Sequence, residues 1–337
     1  MMPNPSIVAC AYAAISPHVV RTPLLQASTL NKLISERLST PNLSVYVKAE
    51  SLQHTGAFKF RGAYNRLLHL TPKERAFGVV AFSSGNFSQA LALASSKLNI
   101  ECTIVAPHDA PALKLSRTAA YGAKVLLSTP PAGVNREVAA GGMAKKFSIE
   151  TGATLLHPFD DYEVMAGQGT LAMEVYEQVG DGVDVASLVV PTGGGGMLAG
   201  CSLASQLKSP KTDIYAVEPA GYDDHCQSFA SEGKARIPLT GDIETTICDA
   251  LQASAPGEIT WQVNRNFISG TSYVSDEGAV EAMKVAFTEL KLVLEPSGAL
   301  GLASLLAGNI PVKGDDVIVV VACGGNISLE EYTRLLS

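Results

Sequence analysis

Short apolar runs alternate with longer stretches of helical spacing along the whole chain. Strands are predicted over 44–50, 78–82, 100–106, 123–128, 154–157, 185–191, 212–218 and 316–322. Several are apolar without a break, as in Val317-Ile318-Val319-Val320-Val321, the pattern of a strand covered on both faces in a parallel sheet. Helical periodicity falls between them, over 58–70, 87–98, 112–121, 135–150, 161–179, 197–207, 276–290 and 297–307. Repeated βα units of this kind predict a doubly wound α/β architecture with ligands at the carboxyl ends of the strands. Residues 221–256 lose the periodicity and carry several Gly and Pro, so they are expected to form a long excursion over the surface.

Composition narrows the classes. The 337 residues are 47% hydrophobic and 17% charged, which excludes a disordered or fibrous chain. A formal charge of −7 disfavours nucleic acid and anionic membrane surfaces as partners. Six cysteines without a Cys-x-x-Cys pair or zinc spacing read as reduced thiols of a cytoplasmic protein. No apolar run reaches the ~20 residues of a membrane helix. The stretch 7–15 looks like a signal-peptide core, but no basic residue precedes it, the first being Arg21. It is expected to be an N-terminal helix packed on the body. No regulatory domain is expected beyond Asn326.

Candidate chemistry begins after the strand 185–191, at Thr192-Gly193-Gly194-Gly195-Gly196-Met197. Successive glycines bring several amides close to a ligand at a helix start, which suits a phosphate. One glycine would serve for a plain strand-to-helix turn. Gly194-x-Gly196-x-x-Ala199 also satisfies the dinucleotide fingerprint, with Glu218 placed 22 residues after Gly196. That fingerprint normally opens its domain, whereas here it lies past mid-chain.

Other segments discriminate. Lys59, in Thr55-Gly56-Ala57-Phe58-Lys59-Phe60-Arg61-Gly62-Ala63, falls in the first turn of a helix, where the dipole disfavours a cation. Such a position lowers an amine's pKa, as a Schiff-base lysine requires. Ser83-Ser84-Gly85-Asn86-Phe87 again joins strand to helix, and its amides and hydroxyls suit a carboxylate. Glu295-Pro296-Ser297-Gly298-Ala299 opens a further helix, and the strand 316–322 runs into Cys323-Gly324-Gly325-Asn326.

In this order the motifs resemble the fold-type II pyridoxal-phosphate enzymes, which are tryptophan synthase β-like. Within them they resemble the serine/threonine dehydratases (ammonia-lyases) and the serine racemases. The similarity spans residues 18–330 and includes His157-Pro158 and Ala166-Gly167-Gln168-Gly169-Thr170. A dehydrogenase has no role for Lys59 or for the Ser84-Gly85-Asn86 loop. The resemblance implies that Lys59 holds pyridoxal phosphate as a Schiff base and, once freed, takes the substrate's Cα proton. It implies that Phe58 packs near the ring and that Gly193, Gly194, Gly195, Gly196 and Met197 bind the phosphate. Asn86 would bond the 3′-oxygen, Glu295 would belong to the same cofactor site, and Cys323 would face the pyridine nitrogen. Ser83, Ser84, Gly85, Asn86 and Phe87 would line the substrate carboxylate. Ser84 would offer a hydroxyl on the face opposite the lysine, which permits racemisation. The resemblance also implies a divalent cation on Glu218, Asp224 and the carbonyl of Tyr222, where hard oxygens suit Mg²⁺ or Ca²⁺.

Three positions bear on the substrate. Cys323 stands where the branch has Ser or Thr, and a neutral thiol cannot keep the pyridine nitrogen protonated. That favours rapid expulsion of a β-substituent. Phe87 replaces the usual His, and Phe159 follows His157-Pro158, which makes an apolar pocket suited to an aryl substrate such as phenylserine. Arg136 matches an arginine that meets a second carboxylate in the racemase and hydroxyaspartate members. The expected activity is elimination of water from a β-hydroxy-α-amino acid of the serine/threonine type to a 2-oxo acid and ammonia. Phenylserine or 3-hydroxyaspartate dehydration and serine racemisation are the alternatives, and a catalytically silent sensor is the rival of another class. Residues 1–78 with 159–337 are expected to form a large domain and 79–158 a small one. A homodimer is the family expectation.

Overall fold

The computed structural model of the protein describes residues 2–83, 85–130, 136–241 and 245–337. Among them are strands β1 (Leu24–Leu25), β2 (Ser44–Ala49), β3 (Val79–Phe82), β4 (Cys102–Pro107), β5 (Lys124–Ser128), β6 (Thr154–Leu156), β7 (Ser187–Pro191), β8 (Asp213–Pro219), β9 (Gly270–Val274) and β10 (Val317–Ala322). Six of them form a sheet in the order β1-β2-β10-β7-β8-β9, and four form a second in the order β5-β4-β3-β6. Every pairing is parallel except that of the two-residue edge strand β1 with β2.

β10 explains the larger sheet. Val320 pairs with Val47 on one side and Val189 on the other. Ile318, Val320 and Ala322 join one apolar core, with residues of the helices Ser28–Leu38, Asp276–Val285 and Pro296–Leu306. Val319, Val321 and Cys323 join the other, with the helices Tyr162–Gln178 and Gly196–Lys208. Helices thus cover both faces, which is why the strand carries no polar position. In the smaller sheet, Val79, Ala81 and Ile104 face the helices Asn86–Lys97 and Lys59–Leu68, while Val80 and Val105 face the helix Arg136–Thr151. The helix carrying Lys59 is therefore shared, with Phe60, Ala63, Tyr64 and Leu67 in the core of the four-stranded sheet.

A buried ion network fixes that helix from its other side. Arg61 reaches Glu50 through Nε and Nη2, both at 2.8 Å, and Glu174 through Nη1 at 2.8 Å and Nη2 at 2.9 Å. Lys48 donates to Glu174 (2.6 Å), to the Thr22 carbonyl (2.8 Å) and to Gln178 (2.8 Å). Paired forks of this kind satisfy charges that would otherwise be costly to bury.

The structure departs from the sequence expectation in several places. The helices Ser28–Leu38, Glu258–Phe267 and Leu329–Leu336, and strand β9, were not expected. β9 is a mostly half-buried edge of sequence Gly-Thr-Ser-Tyr-Val and carries no apolar run. The expected helix over 276–290 ends as a regular helix at Val285 and continues as a π-turn over Ala286–Leu290. The segment 221–256 is not wholly a surface excursion: it opens with the helix Asp224–Ala230, whose Asp224, His225 and Ser228 are fully buried. Its inward positions are polar, so no apolar period announced it. Among the described residues no helix is long and apolar enough to cross a membrane.

Candidate functional site

β2, β10 and β7 are neighbours, so the segments leaving their carboxyl ends emerge side by side. From β2 the chain passes through Thr55 and Gly56, both at positive φ (60° and 74°), and enters a helix at Lys59. This turn is tied to the segment after β10, because Phe58 donates its amide to the Cys323 carbonyl (3.1 Å) and Gly325 donates to the Gly56 carbonyl (2.9 Å). Lys59 is thus the first residue of its helix, whose first turn carries no acidic residue. Its Nζ donates to the carbonyl of Pro158 at 3.1 Å and lies 5.1 Å from the Phe58 ring centre and 5.9 Å from that of Phe87. Burial lowers this amine's pKa to about 8.

From β7 the chain enters the glycines. Gly195 has φ +88°, and a Cβ there would stand 2.5 Å from Asn264 Nδ2 and 2.7 Å from His225 Nε2. The ring of Phe159 packs so closely on Gly194 that a side chain would overlap it. The carbonyl of Gly194 accepts from the Gly257 amide (3.1 Å) and Thr260 Oγ1 (2.7 Å), and that of Gly195 from Asn264 Nδ2 (3.3 Å). No side chain caps the helix Gly196–Lys208 that follows, and among the described residues no acceptor meets the amides of Gly193 to Met197. The result is a cradle of free N–H groups at a helix start, which fits a phosphate.

A third wall joins both sheets. Asn86, first residue of the helix Asn86–Lys97, donates a short hydrogen bond to Glu295 and accepts from Asn326 Nδ2 at 2.9 Å. Asn326 also donates to the Thr55 carbonyl at 2.7 Å. Burial lifts the Glu295 carboxyl to about 7 despite the nearby Lys114. Lys114 Nζ lies 2.6 Å from Asp249 Oδ2 and 3.7 Å from Glu295 Oε2. The buried Cys323 thiol, 3.6 Å from the Ser297 carbonyl, is pushed far up by burial and stays protonated at neutral pH. Ser83 Oγ accepts from the Gly85 amide (3.3 Å), and Phe87 is buried beside them. Ser84 lies outside the described residues. Arg136 stands at the start of its helix and pairs with Asp109 at 2.9 Å.

Glu218, at the end of β8, and Asp224 come together as expected, with a partner the sequence reading missed: His225. Glu218 Oε1 accepts from the His225 amide at 2.9 Å and faces the ring Nδ1 at 3.1 Å, and Oε2 accepts from the Cys226 amide at 2.9 Å. Nδ1 is 3.4 Å from Asp224 Oδ2. Burial raises the Asp224 carboxyl to about 7. His225 rises to about 9, because Asp224 and Glu218 outweigh its burial. The Tyr222 amide turns back to the Pro219 carbonyl at 3.0 Å. The only sequence signal for His225 was its place directly after Asp223-Asp224.

Comparison with known proteins identifies a family and a fold. The family described as "Pyridoxal-phosphate dependent enzyme" matches residues 15–324. Serine racemase of Arabidopsis thaliana is 38% identical over 323 residues, covering 95% of this chain and 92% of that protein. L-threo-3-hydroxyaspartate ammonia-lyase of Saccharomyces cerevisiae is 38% identical over 323 residues, covering 96% and 93%. The solved structure of maize serine racemase matches with a TM-score of 0.88 at 33% identity, covering 99% of this chain and 97% of that one.

Proposed function

The chain belongs to the pyridoxal-phosphate dependent enzyme family, and from that premise we propose that it is an ammonia-lyase for a β-hydroxy-α-amino acid of the serine/threonine type. It eliminates water and yields a 2-oxo acid and ammonia. The observation that carries this reading is the placement of Lys59: a lowered-pKa amine between two aromatic rings, beside a glycine cradle whose amides have no protein acceptor among the described residues.

The residues present fit the cofactor. Gly193, Gly194, Gly195, Gly196 and Met197 would hold its phosphate, Asn86 and Phe58 its ring, and Cys323 the ring nitrogen, with Glu295 orienting Asn86. When bound, pyridoxal phosphate supplies the electron sink that weakens the substrate's Cα–H bond. Lys59 takes that proton. With a pKa of about 8, its amine is partly neutral at physiological pH, as a general base needs to be. The protonated thiol of Cys323 adds no charge at its end of the site. Ser83, Ser84, Gly85, Asn86 and Phe87 receive the substrate carboxylate at the start of the helix Asn86–Lys97.

Two variants of the substrate are open to this site. Phe87 and Phe159 give an apolar wall for an aryl side chain such as that of phenylserine. Arg136 suits a second carboxylate, as in 3-hydroxyaspartate, once it leaves Asp109. Ser84 is assigned the return of a proton to the opposite face of Cα, so serine racemisation accompanies elimination where that transfer is faster than loss of water. The Ser84→Ala protein should keep elimination and lose racemisation.

A divalent cation on Glu218, Asp224 and the Tyr222 carbonyl belongs to the same reading. Both oxygens of buried Asp224 lack a hydrogen-bond donor, which fits a cation. Residues 1–78 with 159–337 are assigned to a large domain and 79–158 to a small one, since each sheet draws its strands from one of these sets. Exposed Phe287, Val293 and Leu329 supply apolar surface for a homodimer, which light scattering would report. The six free cysteines suit a reducing cytoplasm.

The deciding experiment measures 2-oxo acid release from serine, threonine, 3-hydroxyaspartate and phenylserine. Lys59→Ala should abolish release from all four, along with the visible absorbance that pyridoxal phosphate gains on joining a lysine. A protein that binds the cofactor yet releases nothing is a sensor and not a lyase.

A further inference from the structure

Behind the glycine cradle, Glu218, Asp224 and His225 offer one ligand atom each, all within 4.8 Å of one another, and all three residues are buried. We infer that His225 is a metal ligand and that its nitrogen turns this site toward a transition ion of the Mn²⁺, Co²⁺ or Zn²⁺ class over Mg²⁺ or Ca²⁺. The inference rests on the cation reading above and changes both the ligand set and the metal.

The first support is the unmet demand of Asp224. Its side chain is fully buried and neither carboxylate oxygen receives a hydrogen bond, whereas the Glu218 oxygens each accept a backbone amide. The His225 ring at 3.4 Å gives Asp224 an ion-pair contact without a hydrogen bond, and a buried carboxylate so placed favours a metal cation at its oxygens. The second is spacing. Nδ1 of His225 lies 3.1 Å from Glu218 Oε1 and 3.4 Å from Asp224 Oδ2. Bonds of about 2.0–2.2 Å, as Zn²⁺ makes to imidazole nitrogen and carboxylate oxygen, set neighbouring donors roughly 3.0–3.6 Å apart in octahedral or tetrahedral arrangements. The third is donor chemistry: imidazole is a poor partner for Mg²⁺ and Ca²⁺, which prefer all-oxygen shells, and a good one for later first-row ions.

The consequence reaches the cofactor site. Nε2 of the same ring stands 2.7 Å from the point where a Gly195 side chain would begin. An ion fixing Nδ1 therefore fixes the ring against the one glycine of the cradle at positive φ, and His225 acts on phosphate binding as a positioning residue.

The test uses the cofactor-loaded protein after chelator treatment and dialysis. Equilibrium dialysis against Mn²⁺, Co²⁺, Zn²⁺, Mg²⁺ and Ca²⁺ should show one equivalent of Co²⁺ or Zn²⁺ held at least roughly tenfold more tightly than Mg²⁺. His225→Gln should remove most of that preference, about 10- to 100-fold, and leave Mg²⁺ binding little changed. X-ray absorption of the Co²⁺ form of the unaltered protein should show imidazole scattering, a readout that needs no variant to fold. Tight Mg²⁺ binding with an unchanged ratio in His225→Gln, or a Co²⁺ spectrum of oxygens alone, overturns the inference and leaves the cation reading standing. No bound ion of any kind overturns both.

Discussion

At the scale of single residues, the amine of Lys59 is set by what surrounds it. Burial favours its neutral form, so below a pKa of about 8 it is mostly protonated and above it mostly free. Since only the free amine adds to an aldehyde, cofactor-free protein should take up pyridoxal phosphate faster as pH rises through about 8, and then level off. Stopped-flow absorbance between about pH 6 and 10 measures this; a rate still climbing steeply at the upper end would indicate an ordinary lysine. Gly195 makes a second prediction. An alanine there must hold φ +88° against Asn264 and His225, at a backbone cost of about 1–2 kcal/mol. Gly195→Ala should weaken pyridoxal phosphate binding by at least about tenfold, which ~1.4 kcal/mol alone would give, in fluorescence titration. Both residues were legible in the sequence because common residue types in an unusual fixed order, a lysine after Thr-Gly and a run of four glycines, have few other uses. His225 was not legible, since a histidine beside acidic residues is usually a solvated surface group.

At the scale of elements, legibility followed burial of apolar side chains. β10 and β7 announced themselves because both faces are covered. β9 did not, because its residues are mostly half-buried and only Tyr273 and Val274 are large and apolar. The helix Asp224–Ala230 did not either, because it buries Asp, His and Ser. The lysine helix carries another kind of information: Phe60, Ala63 and Leu67 point to the smaller sheet while Arg61 is held by Glu50 and Glu174. Arg61→Met leaves two buried carboxylates with Lys48 as their one remaining cation in this network. Removing one partner of such a set costs about 3–5 kcal/mol. Urea unfolding should show that loss, and a change under about 1 kcal/mol would mean that the network relaxes easily.

At the scale of the whole molecule, Lys114 is a charged link between the two sheets, beside Arg117, which donates to Asn326 at 3.1 Å. It rises from the helix Ala112–Ala120 beside the smaller sheet and meets Asp249 and Glu295 on the larger one. Glu295 has a folded pKa of about 7 against 4.5 for an ordinary glutamate. The folded state therefore binds more protons than the unfolded chain across that window, and stability falls as pH rises through it. Lys114 lowers the Glu295 value, so Lys114→Met should extend the fall to higher pH. The melting-temperature deficit of Lys114→Met should be larger at about pH 8 than at about pH 5; equal deficits would place the role of Lys114 in packing alone. The two-sheet architecture was readable from the βα alternation, but this link was not, because residues 114, 249 and 295 are joined only by the folded arrangement of helices.

The central place of β10 has one more consequence, for how the protein is made. Its partners β2 and β7 leave the ribosome long before it does, yet they meet only through it, and the lysine turn is fastened to the residues just after it. During synthesis these two strands therefore stay unjoined to one another until residues 317–322 have emerged. The turn that carries Lys59 is fastened as a late event, when residue 323 is in place.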